Sequence, residues 1–364
     1  MKILLIGEYS NVHWTLAEGL RQLGHQVTVA SNGDFWKDYR RDVDLARKPG
    51  LWGGLKLLAR VYSLLPQWKG YDVVQLVNPM FLELKAERLF PVYRHLRRYN
   101  KKVVLGAYGM DWYWADTCTR QKPLRYSDFN IGDSVRTDEA AVRELRDWVG
   151  TAKERLNRMI AADCDAIVTG LYEYNVCYRP AFPQKTHFIP FPIQLPADYS
   201  TERCKRSKVT IFIGISPGRS QYKGTDVMLQ AALDLRSKYA HRMKLNVAEG
   251  VPFEEYRQLM EGSDAILDQL YSYTPSMNPL VAMSKGIICI GGGEPENYEI
   301  IHEDELRPII NVQPTYDSVY HELEQLVLHP DRIGQLKWQS REYVRRHHDH
   351  LKVARQYEQL YLSL

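Results

Sequence analysis

Residues 263 to 293 hold the densest run of groups able to meet an anion. A short apolar stretch ends at Asp268. The loop Tyr273-Thr274-Pro275-Ser276-Met277-Asn278 then opens a helix of small residues, and a second apolar stretch closes on Gly291-Gly292-Gly293. Pro275 suits a first helical turn, and the Thr274 and Ser276 hydroxyls stand beside amides that a helix start leaves unpaired. Glu294 and Glu296 can accept hydrogen bonds from ribose or sugar hydroxyls. An ordinary helix cap and a tight β-α turn would use the same residues. Upstream, Arg219 and Lys223-Gly224-Thr225 lie between a predicted strand and a helix start. Two cations there can neutralise a diphosphate, Gly224 lets a ligand reach the backbone, and Thr225 can cap the helix. A solvated basic loop fits that spacing too.

In the first half, Gly7-Glu8-Tyr9-Ser10-Asn11 stands where a dinucleotide fingerprint would, and Gly7 and Glu8 are candidate nucleotide-sugar contacts. The GxGxxG glycines are missing, which disfavours a nicotinamide or flavin enzyme. Asp111, amid Tyr108, Trp112, Tyr113 and Trp114, could bind sugar hydroxyls or move a proton; a buried structural Asp fits as well. His347-His348-Asp349-His350 resembles a metal cluster, but its adjacent histidines point apart on a helix, so a helix junction is the better reading. No metal site is expected. Two basic-apolar stretches, Arg47–Arg60 and Lys85–Lys102, could rest on an anionic bilayer or form solvated helix faces.

These residues need a scaffold that puts strand ends beside helix starts. Buried parallel strands are predicted at Ile3–Ile6, Val27–Ala30, Val73–Val77, Val103–Leu105 and Ala166–Thr169, with a helix from Trp14 to Leu23. The pattern restarts at Val209–Ile213 and continues through Met243–Ala248, Ala265–Leu267, Ile287–Ile290 and Ile309–Val312. A chain of 364 residues is natural for two domains. The expected class is α/β with two Rossmann-like, doubly wound domains. Their boundaries are 1–192 and 193–345, joined through the proline-rich Phe188–Pro196, with a last segment over 346–364. The net charge of +4 gives no reason to expect a nucleic-acid partner. Five scattered cysteines, with no CxxC pair, suit a reducing cytoplasm. The apolar run at the amino terminus is too short for a signal peptide.

Taken together, Leu23-Gly24-His25, Asp72-Val73-Val74, Ile189-Pro190, Lys223-Gly224, Glu249-Gly250-Val251-Pro252, Ala282-Met283-Ser284-Lys285-Gly286 and Ala354–Tyr361 resemble the retaining, GT-B-fold glycosyltransferases of family 4 ("group 1"). The resemblance runs over nearly the whole chain. It implies a nucleoside diphosphate sugar donor (UDP- or GDP-linked) held by the second domain. A glycan or lipid-linked glycan acceptor would lie on the first, with the last helix crossing back to that domain and chemistry in the cleft between. It makes Arg219 and Lys223 the diphosphate cations, though spaced one residue short, and puts Gly250 and Val251 at the base. It requires no cofactor. The family's two glutamates, eight positions apart, are replaced by Tyr273 and Val281. Asp268, Gln269, Glu294 or Glu296 could compensate. A nucleotide-sugar 2-epimerase and a non-catalytic nucleotide- or glycan-binding protein are the rival expectations.

Overall fold

The computed structural model describes residues 1–197, 208–216 and 218–364. Cys204, one of the five cysteines, and Pro217, two residues before Arg219, lie outside the described residues. In chain order the strands are β1 (Lys2–Ile6), β2 (Gln26–Ser31), β3 (Val43–Asp44), β4 (Val73–Leu76), β5 (Lys102–Ala107), β6 (Asn130–Ile131), β7 (Ser134–Val135), β8 (Ala166–Thr169) and β9 (Thr186–Phe188). There follow β10 (Val209–Ile215), β11 (Met243–Glu249), β12 (Ala265–Leu267), β13 (Ile288–Gly291) and β14 (Ile310–Asn311).

Two compact units divide the chain. The first is Met1–Pro123, Arg143–Pro192 and His350–Leu364; the second is Leu124–Val142 and Ile193–Asp349. Residues 124–142, counted with the first half on sequence pattern, therefore belong to the second unit.

Unit 1 is built on a seven-stranded parallel sheet of order β3-β2-β1-β4-β5-β8-β9. Strands β1, β4, β5 and β8 are mostly apolar and buried on both faces, with Gln75 of β4 a buried polar exception, and Ile3, Leu4, Leu5 and Ile6 are fully buried. The last helix, His350–Ser363, packs on Val12–Gln22. Their close approach needs Gly19, since a Cβ there would lie 2.7 Å from the Ala354 Cβ. Tyr361 donates to Gln75 Oε1 at 2.7 Å, and the Tyr357 and Tyr108 hydroxyls share a short hydrogen bond. The His347–His350 junction separates helix Ile333–His347 from helix His350–Ser363.

Unit 2 carries a five-stranded parallel sheet of order β11-β10-β12-β13-β14, and β6 and β7 form a separate antiparallel hairpin. In both sheets the strand order reverses beside the first strand of its unit, at β1/β4 and at β10/β12. Such switch points open a crevice at the carboxyl ends of the strands. Among the described residues no helix is long and apolar enough to cross a membrane.

Candidate functional site

At the carboxyl edge of the unit 2 sheet, β10 runs into Ser216, then Gly218-Arg219, a single turn of helix (Ser220–Lys223) and Gly224. Gly224 sits at φ +70°, and a Cβ would meet the Leu270 Cβ at 2.5 Å. Only glycine suits that turn. Its packing partner is the loop leaving the neighbouring strand β12: Leu270 N–H donates to the Lys223 carbonyl at 2.9 Å. Arg219 is exposed and crosses the Tyr222 ring at 5.3 Å.

Asp268 lies at the end of β12, beside Lys223. Burial pushes its carboxyl up to about 6, against the pull of the Lys223 ammonium and of Gln269. Gln269 Nε2 reaches Ser276 Oγ at 3.5 Å, and Ser276 is the N-cap residue of helix Met277–Ser284 without using its side chain as the cap. Asn278 donates to the Tyr256 hydroxyl at 2.8 Å. That ring covers the end of β10, where Gly214 leaves room: a Cβ would fall 2.4 Å from it. Gly250, at φ +63°, turns the chain out of β11 toward Val251. Gly292, after β13, lies against the Ser272 carbonyl, which a Cβ would meet at 2.1 Å. Thr274 is buried within this wall and Met277 is enclosed by it. Arg219, Lys223, Gly250, Val251, Asp268, Thr274, Ser276, Met277 and Asn278 thus belong to one edge of one sheet.

Tyr273, Glu294 and Glu296 join them through residues that the sequence reading missed. Segment 124–142 forms a strap on unit 2. Its hairpin turns at Gly132 (φ +55°) and is held by Asn130, which donates to the Leu124 and Gly132 carbonyls at 2.9 and 3.0 Å. Arg125 pairs with Glu294 at 2.7 Å and Glu296 at 2.6 Å, and its backbone N–H donates to the Tyr273 hydroxyl at 2.6 Å. The Tyr126 hydroxyl donates to Glu294 Oε1, as does Gln313 Nε2 at 2.9 Å. Burial alone would raise the Glu294 carboxyl, which is 3% exposed; hydrogen bonds from Tyr126, Asn311 and Gln313, with the Arg125 charge, hold it below the usual range instead. Tyr273 is buried and stacks at a tilt on Tyr126, 4.8 Å between centroids. At the strap's other end Arg136 donates to the Gln221 and Tyr222 carbonyls at 2.9 and 3.3 Å, and Tyr222 donates to Asp128 at 2.6 Å. The strap so fixes both the cation-bearing turn and the Tyr273–Glu294 wall. The Ile131-Gly132-Asp133-Ser134 spacing was a legible hairpin signal; where the hairpin docks was not.

The candidates in unit 1 occupy the matching edge of its own sheet. Gly7, at φ +86°, brings the backbone against Val77, which a Cβ would meet at 2.3 Å. Glu8 is buried and accepts from the His13 and Trp14 amides at 3.1 and 2.9 Å, capping the first helix. Burial pushes its carboxyl up to about 8. Asp111 caps helix Trp112–Arg120 through the Trp114 amide at 2.9 Å and accepts from Tyr178 at 2.6 Å. It is wholly buried, which raises its carboxyl to about 7. Glu8 and Asp111 both work as helix caps in this arrangement.

Among the described residues no group of His, Cys, Asp and Glu gathers for a metal ion. The sequence contains two Asp-x-Asp tripeptides, Asp42-Val43-Asp44 and Asp163-Cys164-Asp165. Their carboxylates pair with Arg21, Arg41 and Arg97, so they are committed to neighbouring cations.

Neither a family model nor a curated protein matches the chain. Solved structures do. Anabaena HepE in complex with UDP and glucose aligns over 100% of both chains at 12% identity, with a TM-score of 0.61. Sucrose-phosphate synthase from Thermosynechococcus elongatus aligns at 12% identity over 100% of this chain and 99% of its own, TM-score 0.62. The chain has the GT-B fold. Neisseria meningitidis UDP-GlcNAc 2-epimerase, bound to UDP-GlcNAc, shares it at 12% identity over 100% of both chains, TM-score 0.55. Within this fold, the edge of unit 2 described above is the carboxyl end of one Rossmann-like sheet, where the topology calls for a ligand.

Proposed function

We propose that the protein is a glycosyltransferase that moves a sugar from a nucleoside diphosphate sugar to a hydroxyl of a glycan or lipid-linked glycan, with retention. The observation that carries this is the meeting of the Arg219–Gly224 turn with the Asp268–Asn278 loop at the β10/β12 switch point. A diphosphate placed there faces two cations and the first amides of helix Met277–Ser284. As the anomeric C–O bond breaks, negative charge grows on the departing diphosphate, and Arg219, Lys223 and those amides stabilise it. The acceptor oxygen bonds to the anomeric carbon, and its proton passes to the diphosphate, so the reaction asks for no strong protein base and no metal. Gly250 and Val251 are assigned to the nucleobase, and Glu296 to sugar or ribose hydroxyls. HepE, solved with UDP and UDP-glucose, makes UDP the first nucleotide to test.

Binding to the folded state alone raises stability by about 2.7 kcal/mol at a ligand concentration one hundredfold above Kd. UDP, GDP and ADP, each with its sugars, are therefore screened by thermal shift, followed by transfer to a panel of glycans. One nucleotide should raise the melting temperature, and Lys223→Ala should abolish that rise. No shift with any nucleotide would overturn the donor site. A shift with no donor consumed would leave a binding protein, which Tyr273 and Val281 at the glutamate positions favour. Donor converted without acceptor would identify a 2-epimerase.

A further inference from the structure

Helix Gly50–Leu64 in unit 1 has two apolar faces, and the unit uses one. Gly53, Leu57, Val61 and Leu64 are buried. At about 100° per residue, Leu51, Leu55, Ala59 and Tyr62 fall on the opposite side, with Trp52 at their margin. All are exposed: Leu51 is 87% accessible, Trp52 77%, Leu55 55% and Tyr62 45%. A surface helix of a globular protein puts polar residues on that side. Lys56 and Arg60 flank the stripe, and Arg47, Lys48 and Lys69 bracket the helix, while no Asp or Glu occurs between Asp44 and Asp72. On the loop that leads into β3, just before the helix, Phe35 and Trp36 are also exposed, at 60% and 59%.

We propose that this helix lies in the plane of an anionic lipid bilayer, with Leu51, Trp52, Leu55 and Tyr62 in the headgroup–acyl boundary and Lys56, Arg60, Arg47 and Lys48 on lipid phosphates. Three features select a bilayer as the occupant. Every charge in the sequence between Asp44 and Asp72 is positive, so a self-complementary interface between two copies would set like charges against one another. Trp and Tyr are the side chains that settle at a membrane–water boundary, and cations beside them hold anionic headgroups. The stripe is also narrow, one helix wide, as suits shallow insertion. The surface is independent of the donor site proposed above.

The test is sedimentation of the full chain with vesicles of pure phosphatidylcholine and with vesicles one-third phosphatidylglycerol. Binding is expected to the second only and to weaken as salt screens the headgroups. Leu51→Ser/Trp52→Ser should abolish it with the melting temperature unchanged, because both side chains face solvent. Lys56→Glu/Arg60→Glu should weaken it by at least about fivefold per cation removed. Lipids brominated near the glycerol should quench tryptophan emission of the natural protein and not of Trp52→Phe to the same depth. A chain that stays in the supernatant with both vesicles, or that binds equally well as Leu51→Ser/Trp52→Ser, overturns the proposal. So does a dimer in sedimentation velocity that the double substitution dissociates, since the stripe would then belong to a second copy.

Discussion

Lys223, beside Asp268, is with Arg219 the cation whose charge the proposed reaction uses most. Lys223→Ala should lower turnover by roughly two orders of magnitude, the cost of losing one preorganised charge partner in a transition state. Circular dichroism and melting temperature should barely change; unchanged turnover would sink the assignment. Glu8 supports a separate prediction of pH dependence. Its folded-state carboxyl is raised from 4.5 to about 8, so above 4.5 the native protein holds a proton that the unfolded chain has released. Stability from this group is therefore lost as pH climbs toward 8. Buried His13, lowered from 6.5 to about 4, acts in the opposite direction, but only below 6.5. Between pH 6.5 and 8 the unfolding free energy in urea should fall, and Glu8→Gln should remove most of that slope.

Two elements were placed by tertiary contacts rather than by local pattern. The strap 124–142 carries Arg136, whose guanidinium is bonded to two carbonyls of the Ser220–Lys223 turn and lies 4.0 Å over the Tyr271 ring. Arg136→Ala should loosen the turn, raising the dissociation constant for the nucleotide more than it lowers the melting temperature. Lysine at that position cannot reproduce the planar fork and should not restore binding. The closing helix depends on Gly19 in the same way. Gly19→Ala forces a methyl into the Ala354 contact and should cost about 1–3 kcal/mol in a urea titration.

At the scale of the molecule the chain passes between its units more than once, because residues 124–142 leave the first sequence half to complete the second unit. Residues 193–349 expressed alone should therefore fold poorly. They retain buried Glu294 without Arg125 and Tyr126, and Tyr222 without Asp128. Gln313 and Asn311 stay with Glu294, but a buried carboxylate that loses its cation and a hydrogen-bond donor is destabilised. Linking 124–142 to that fragment should restore a cooperative melt; a fragment already as stable without the strap would contradict this account.

Apolar runs and their turns were enough to read the α/β class, the tandem of parallel sheets and most strands within a residue or two, because a buried parallel strand must be apolar on both faces whatever surrounds it. The positions of Arg219, Lys223, Asp268 and Ser276 at strand ends and helix starts were likewise legible, since those are local features. Short edge strands β3 and β9 were not, for they bury too little to leave a pattern. Nor was the strap, or the engagement of Glu294 and Tyr273 by Arg125 and Tyr126. Those contacts join residues 148 and 169 positions apart, and only packing decides which side chains a carboxylate meets.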